Sequence, residues 1–338
     1  MIREAIAAAL AGTHLSYPQA EAVIQEIISG EATDAQVAAF LTALQMKGPA
    51  TEEITAFARV MRASAMPFHP PVPGITLDTC GTGGDNSRSF NISTTVAFVV
   101  AGAGVPVVKH GNRSASGTCG SADVLEALGV NLAIPPPMNE EVMKKAGIAF
   151  LFAPVYHPAM GRVAGVRREI GIRTVFNLLG PLTNPACTGA QLIGVHSPAL
   201  TATFGEVLRN LGTERGLIVH GNGMDEITTT GATRFTELKS GMLRHGTMSC
   251  LDYGIPIALP GDIVGGDAGQ NARILTEVLG GEHGACRDIV VMNAGAAIYT
   301  AAKAASIKEG VNLAALSIDS GQAMNRLTTL VEATRGAR

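Results

Sequence analysis

Between Met66 and Gly74 the chain reads Met66-Pro67-Phe68-His69-Pro70-Pro71-Val72-Pro73-Gly74, with four prolines in nine residues. Proline lacks the amide proton that a helix needs and clashes with the preceding turn, so no helix crosses this stretch. The run is the expected hinge or linker, and it separates two parts with different periodicities. Before it, residues 1–65 read as helix after helix. Ser16 with Gln19 and Thr33 with Gln36 have capping-box spacing, and Pro18 falls in a first turn. Ala22, Val23 and Ile27, then Val37, Phe40, Leu41 and Leu44, then Ile54, Phe57, Ala58 and Met61 form apolar stripes at helical spacing, the last helix capped by Thr51. Short helices in so small a unit seldom bury all their apolar faces. Part of it is therefore expected to dock on the rest of the chain or on a second subunit.

After Gly74, β-branched runs (75–79, 105–108, 192–195, 217–219) alternate with Ala-rich helical stretches at 93–102, 121–128, 200–211 and 312–331. Nearly continuous apolar strands separated by helices predict a mostly parallel sheet covered on both faces. Residues 228–248, with polar alternation and the turn Lys239-Ser240-Gly241, predict an antiparallel hairpin. The expected fold class is α/β: a small all-helical N-terminal domain plus a larger α/β domain with a mostly parallel central sheet covered by helices.

Composition narrows the function classes. The 338 residues carry 25 Lys+Arg against 28 Asp+Glu, a net charge of −3, and 4% aromatics with no Trp. Such a chain neither neutralises a phosphate backbone in bulk nor offers a stacking platform, so nucleic-acid binding is not expected. Cys80, Cys119, Cys187, Cys250 and Cys286 form no C-x-x-C pair and are odd in number, which argues against zinc and disulfides and suits a reducing cytoplasm. The start, Met1-Ile2-Arg3-Glu4, lacks the apolar core of a signal peptide, and the apolar stretch 97–108 is too short for a membrane span.

Two polar loops carry the chemistry. Strand 75–79 runs into Cys80-Gly81-Thr82-Gly83-Gly84-Asp85-Asn86, ahead of a helix opening near Asn91-Ile92-Ser93-Thr94. A strand, a glycine loop and a helix N-terminus together suit an anion, because glycines let backbone N–H groups approach phosphate oxygens. The dinucleotide fingerprint fails at Asn86 and the G-K-[ST] pattern is absent. Taken alone, the glycines equally suit a tight turn. The second loop, Lys109-His110-Gly111-Asn112-Arg113-Ser114-Ala115-Ser116-Gly117 followed by Gly120-Ser121-Ala122-Asp123, follows the next strand. Its cations, hydroxyls and glycines suit a phosphate-rich anion as well as a solvated loop. At neighbouring strand ends the two can face each other across a crevice, which makes phosphate binding the better reading.

These segments, with His157-Pro158-Ala159-Met160, Val166-Arg167-Arg168-Glu169-Ile170-Gly171, the run 173–185, His220-Gly221, Asp225-Glu226 and Asn271-Ala272, resemble in order the signature of the anthranilate phosphoribosyltransferases, over essentially the whole chain. The resemblance implies a helical domain at 1–68, completed by a segment near 165–185, and an α/β domain at 74–338 with the crevice between them. It implies a homodimer contacting through the helical part, and transfer of the 5-phosphoribosyl group from phosphoribosyl diphosphate to the amine of anthranilate. Gly81, Gly84, Asp85, Ser89, Asn91, Ile92, Ser93, Thr94, Lys109, His110, Gly111, Asn112, Arg113, Ser114, Ala115, Ser116, Gly117 and Ser121 would hold the donor. Gly81, His110, Asn112 and Arg167 would meet anthranilate, with His157 and Tyr156 framing its entrance. Ser93, Asp225 and Glu226 would ligate Mg²⁺, two ions per site with donor bound, and Lys109, Asp225 and Glu226 would carry catalysis. Without the resemblance, Asp225-Glu226 reads as an exposed acidic turn and His110 as a structural histidine. The chain departs from the family pattern at Asn86, Arg88, Ser89, Gly117 and Cys119. The competing readings are a pyrimidine nucleoside phosphorylase of the same architecture, which would not need the acid pair, and a nucleic-acid-binding paralogue, which would need a basic groove.

Overall fold

A computed structural model describes residues 1–114 and 118–336. Helices α1 (Ile2–Leu10), α2 (Tyr17–Ser29), α3 (Asp34–Lys47) and α4 (Thr51–Ala63) open the chain. Both capping boxes form: the Gln19 side chain accepts from the Ser16 amide and the Gln36 side chain from the Thr33 amide, each at 2.9 Å. The α4 start differs from expectation. Ala50 is its N-cap and Thr51 lies inside the helix, because the Glu53 carboxylate folds back to accept from the Ala50 amide at 2.7 Å. Glu53 is fully buried, also accepts from the Leu15 amide, and pairs with Lys47 Nζ at 2.7 Å. One carboxylate thus ties two interhelical connections together.

The Pro-rich connector is non-helical but anchored: the Met66 amide donates to the Tyr156 carbonyl, and Phe68 packs edge-on against Tyr156. Beyond it come β1 (Leu77–Gly81), α5 (Ile92–Gly102), β2 (Val107–Gly111), α6 (Ser121–Ala127), α7 (Pro136–Ala146), β3 (Ile148–Phe152), α8 (Ala153–Tyr156), α9 (Gly161–Ile170) and α10 (Phe176–Leu179). They are followed by β4 (Ala190–Gly194), α11 (Leu200–Asn210), β5 (Arg215–Gly221), β6 (Ala232–Lys239), β7 (Met242–Ser249), α12 (Ala268–Leu279), α13 (Ala285–Thr300), α14 (Ile307–Asp319) and α15 (Gln322–Arg335). The predicted helix 312–331 is two helices, broken where Gly321 takes a left-handed φ of +73°. The hairpin forms as β6 and β7, closed by Ser240 and Gly241 with positive φ.

The sheet order is β3-β2-β1-β4-β5-β6-β7, parallel through β5 and antiparallel beyond it. Successive strand residues point to opposite faces. Leu192 and Leu217 enter a core with α5 and α12–α15, while Ile193 and Ile218 enter one with α1–α4, α9, α10 and α11. The helical start therefore buries its apolar stripes against the sheet through α11 and the 163–182 segment. The chain leaves β1 towards β2 and β3, then returns to β4 on the other side of β1. This reversal opens a crevice at the strand ends.

Candidate active site

Four parallel strands, β1, β2, β4 and β5, end in glycine: Gly81, Gly111, Gly194 and Gly221. The reason is steric. A Cβ on Gly194 would lie 1.5 Å from the Asp225 carbonyl oxygen, one on Gly81 2.2 Å from Asp225 Oδ2, and one on Gly221 2.5 Å from the Glu226 carbonyl oxygen. Bare strand ends let the loop after β5 fold across the sheet, where it meets the glycine loop after β1.

That meeting is held by hydrogen bonds. The Gly83 amide donates to Asp225 Oδ2 at 2.7 Å, and the Asp225 amide donates to Asp85 Oδ2 at 3.1 Å. Gly83, Gly84, Asn86 and Arg88 all have positive φ. Asn tolerates that region better than other side-chain-bearing residues, so Asn86 stands in for a glycine; Arg88 does so with more strain. Ser89 bridges Val264, and the Arg88 carbonyl accepts from the Gly265 amide, so the far half of the loop leans on residues 263–266. Asn271 braces that segment through both the amide and the carbonyl of Gly266.

Asn91 caps α5, Ile92 and Thr94 are buried in its first turn, and Ser93 Oγ stands 3.4 Å from Lys109 Nζ. Lys109 is buried and also donates to the Thr79 carbonyl. Behind it Asp78, fully buried, accepts from Asn184 Nδ2 at 2.9 Å. Burial raises the Asp78 carboxyl above its ordinary range, and Lys109 opposes the shift. Burial likewise pushes Asp225 up to about 7, helped by the Asp85 charge, and pushes Glu226 well up, helped by Asp225 and opposed by Lys109. Lys109 thus faces the Asp78 and Glu226 carboxyls while Asp85 faces Asp225, and the raised carboxyls favour holding protons until a cation replaces them.

Asp225, Glu226 and the Ser93 hydroxyl offer hard oxygen donors of the kind that Mg²⁺ prefers. Among the described residues no group of three or more carboxylate, His or Cys side chains is placed to hold a metal ion. Mg²⁺ keeps waters and substrate phosphates in its shell, so a few protein oxygens fit it.

His110 Nδ1 lies 3.3 Å from the Gly180 carbonyl, and its Nε2 has no partner among the described residues. Burial, with His157 at a ring separation of 5.1 Å, lowers its pKa to about 3, so it is a neutral imidazole. His157 is itself buried and bonded to the Thr183 carbonyl at 3.0 Å. Tyr156 is a core residue whose hydroxyl meets Asn139, which removes it from the acceptor entrance. Arg167 lies over the Phe176 ring and makes no ion pair among the described residues; its neighbour Arg168 is exposed. Burial lowers the Arg167 pKa, and no carboxylate among the described residues offsets it.

Not every residue singled out in the sequence faces the crevice. The Arg113 fork is bound to Glu126 at 2.8 and 3.0 Å and to Asp123 at 3.1 Å, on α6. Asn112 Oδ1 accepts from the Arg113 amide, and the Asn112 carbonyl accepts from Ser121 Oγ. The Ser114 amide donates to Asp123. Gly111 leaves room for Ser121 Oγ, which a Cβ would approach to 2.2 Å. Ala115, Ser116 and Gly117 lie outside the described residues. Cys119 meets Asn91 through both Sγ and its carbonyl. Two open surface hollows, of about 420 Å³ beside Phe235 and about 450 Å³ beside Arg162, include none of these residues. The sequence reading assigned no role to Arg173, which holds the glycine loop.

Residues 74–324 match the glycosyl transferase family a/b domain, and residues 3–65 match the helical bundle domain of that family. An anthranilate phosphoribosyltransferase from Methanosphaerula palustris is 51% identical over 337 residues, 99% of each chain. This chain belongs to the anthranilate phosphoribosyltransferase family. Among solved structures, the anthranilate phosphoribosyltransferase of Thermus thermophilus matches with a TM-score of 0.92 at 43% identity, covering 98% of this chain and 99% of that one. The Saccharomyces cerevisiae anthranilate phosphoribosyltransferase, in complex with PRPP and Mg, matches with a TM-score of 0.90 at 26% identity, covering 99% and 98%. The family's two-part chain is the one seen here, a helical start followed by a seven-stranded α/β body.

Proposed function

We propose that this chain transfers the 5-phosphoribosyl group of phosphoribosyl diphosphate to the amine of anthranilate, releasing diphosphate, the second step of tryptophan biosynthesis from chorismate. The observation that carries the reading is the junction of the glycine loop with the Asp225-Glu226 loop, beside buried Lys109. It brings backbone donors, a lysine and several carboxyl groups together at the strand ends. The donor lies across Gly81, Gly84, Asp85, Ser89, Asn91–Thr94 and Lys109–Gly117, with Ser121. The Arg113 side chain must leave Glu126 to join it. Anthranilate lies against Gly81, His110 and Asn112, its carboxylate on the Arg167 fork.

Ser93, Asp225 and Glu226 would hold Mg²⁺, two ions with donor bound, and the metal would supply positive charge to the leaving diphosphate. The chain's own residues align and exclude. An arylamine is already neutral at pH 7, so no strong base is required. Its nitrogen attacks the anomeric carbon as the C–O bond breaks, and the electron pair leaves with diphosphate. The amine then loses a proton to water. Lys109 stabilises the departing charge, and neutral His110 can accept or donate a hydrogen bond without adding charge.

The chain divides into a helical unit, 1–68 completed by a segment near 165–185, and a body at 74–338, and two copies pair through the helical face, where Leu10 and Met46 are 70% and 82% exposed. The enzyme works in the cytoplasm, a reading supported by five free cysteines and by the lack, among the described residues, of a helix able to cross a membrane.

Purified protein with phosphoribosyl diphosphate and Mg²⁺ is expected to quench anthranilate fluorescence, and EDTA to stop the loss. No loss from a folded protein that still binds the donor would redirect the acceptor to another amine. Arg167→Ala is expected to raise the KM for anthranilate about 10- to 100-fold with little change in kcat, the scale of a lost charge-assisted pair. An unchanged KM would remove Arg167 from the acceptor site.

A further inference from the structure

Arg173 lies between α9 and α10, and its guanidinium reaches back to the glycine loop, donating to the Gly84 carbonyl at 2.9 Å and the Gly83 carbonyl at 3.2 Å. The same Nη2 stands 3.1 Å from His196 Nδ1, which also lies 3.2 Å from Thr82 Oγ1. A trans peptide points its N–H opposite to its C=O. Pinning the carbonyls of residues 83 and 84 to one side therefore aims the amides of Gly84 and Asp85 to the other. Gly83 and Gly84 take left-handed φ values of +65° and +72°, and a loop of this kind has many alternatives unless held. A Cβ on Gly84 would sit 1.6 Å from Arg173 Nη1, so the contact itself demands glycine.

We propose that Arg173 is a positioning residue that orients the amides of the glycine loop towards the donor's phosphates and ties that loop to the Arg167-bearing segment. The inference rests on the proposed function. Its fork is committed to carbonyls and touches no reacting atom. Losing it leaves the loop free to rotate its peptides, so donor binding must reorder them first.

The test is titration of phosphoribosyl diphosphate with Mg²⁺ into wild type, Arg173→Ala and Arg173→Lys, followed by steady-state kinetics. Arg173→Ala is expected to weaken donor affinity about 10- to 100-fold, the scale of charge-assisted hydrogen bonds to two carbonyls, with kcat at saturating donor within about threefold. Arg173→Lys keeps the charge but cannot fork, and is expected to recover little of the affinity. Guanidinium added to Arg173→Ala should restore part of it. Wild-type affinity in Arg173→Ala overturns the proposal. Full recovery in Arg173→Lys also overturns it, since that assigns the effect to charge alone. A wild type that does not bind the donor overturns the proposed function instead.

Discussion

Asp225→Asn is expected to lower kcat about 10²- to 10³-fold, the range seen when one preorganised electrostatic partner of a leaving group is lost. The substitution keeps the shape: an amide oxygen still accepts from the Gly83 amide, where Asp225 Oδ2 now sits at 2.7 Å. It removes one negative charge from a crowd in which Asp85 already disfavours ionisation of Asp225. The folded protein without a cation should therefore tolerate Asn well, with an undiminished thermal midpoint. On the proposed ligand set, what it loses is one of the carboxylates that would hold Mg²⁺ against the diphosphate. In wild type the cation must displace a proton from a carboxyl raised to about 7, so affinity for Mg²⁺ with donor should rise as pH climbs from about 6 to about 8. Calorimetry in buffers of different ionisation enthalpy reads the released proton directly. Asp225→Asn with unchanged Mg²⁺-dependent donor affinity would exclude Asp225 as a ligand.

Glu53→Ala is expected to destabilise the protein by about 3–5 kcal/mol without touching the crevice, because it strips the partner from a buried cation. Lys47 retains only 3% side-chain exposure, and the Leu15 and Ala50 amides lose their acceptor together. The measurement is denaturant unfolding followed by circular dichroism. Glu53→Gln should fall between wild type and Ala, since it keeps one acceptor oxygen but not the charge. A shift below about 1 kcal/mol for Ala would mean that the connections hold by packing alone.

The class of the fold was legible because period and punctuation agreed: helical stripes before the prolines, β-branched runs alternating with helices after them. β3 was not read because Ile148-Ala149-Phe150-Leu151-Phe152 follows α7 with only Gly147 between, and a five-residue apolar run has no period to betray it. The α14–α15 break was missed for a related reason: apolar spacing continues on both sides of Gly321. At the site, strand-end loops announced themselves through glycine and charge. What side chains do with one another did not. Sequence could not show that Arg113 is taken up by Glu126, or that Tyr156 faces Phe68. The role of Arg173 was hidden because its partners are backbone carbonyls 89 and 90 residues away, and a carbonyl has no letter in the sequence.

The glycine-terminated strands divide the crevice into two surfaces of unequal plasticity. At the four strand ends its floor is main chain; an added Cβ would collide with the 225–226 loop at Gly81, Gly194 and Gly221, and with Ser121 and Phe150 at Gly111. The wall around Arg167, His110 and Phe176 is made of side chains. On the proposed acceptor site, redirecting the chain to another amine means varying that wall and leaving the floor untouched, because specificity is rewritten where the protein uses side chains.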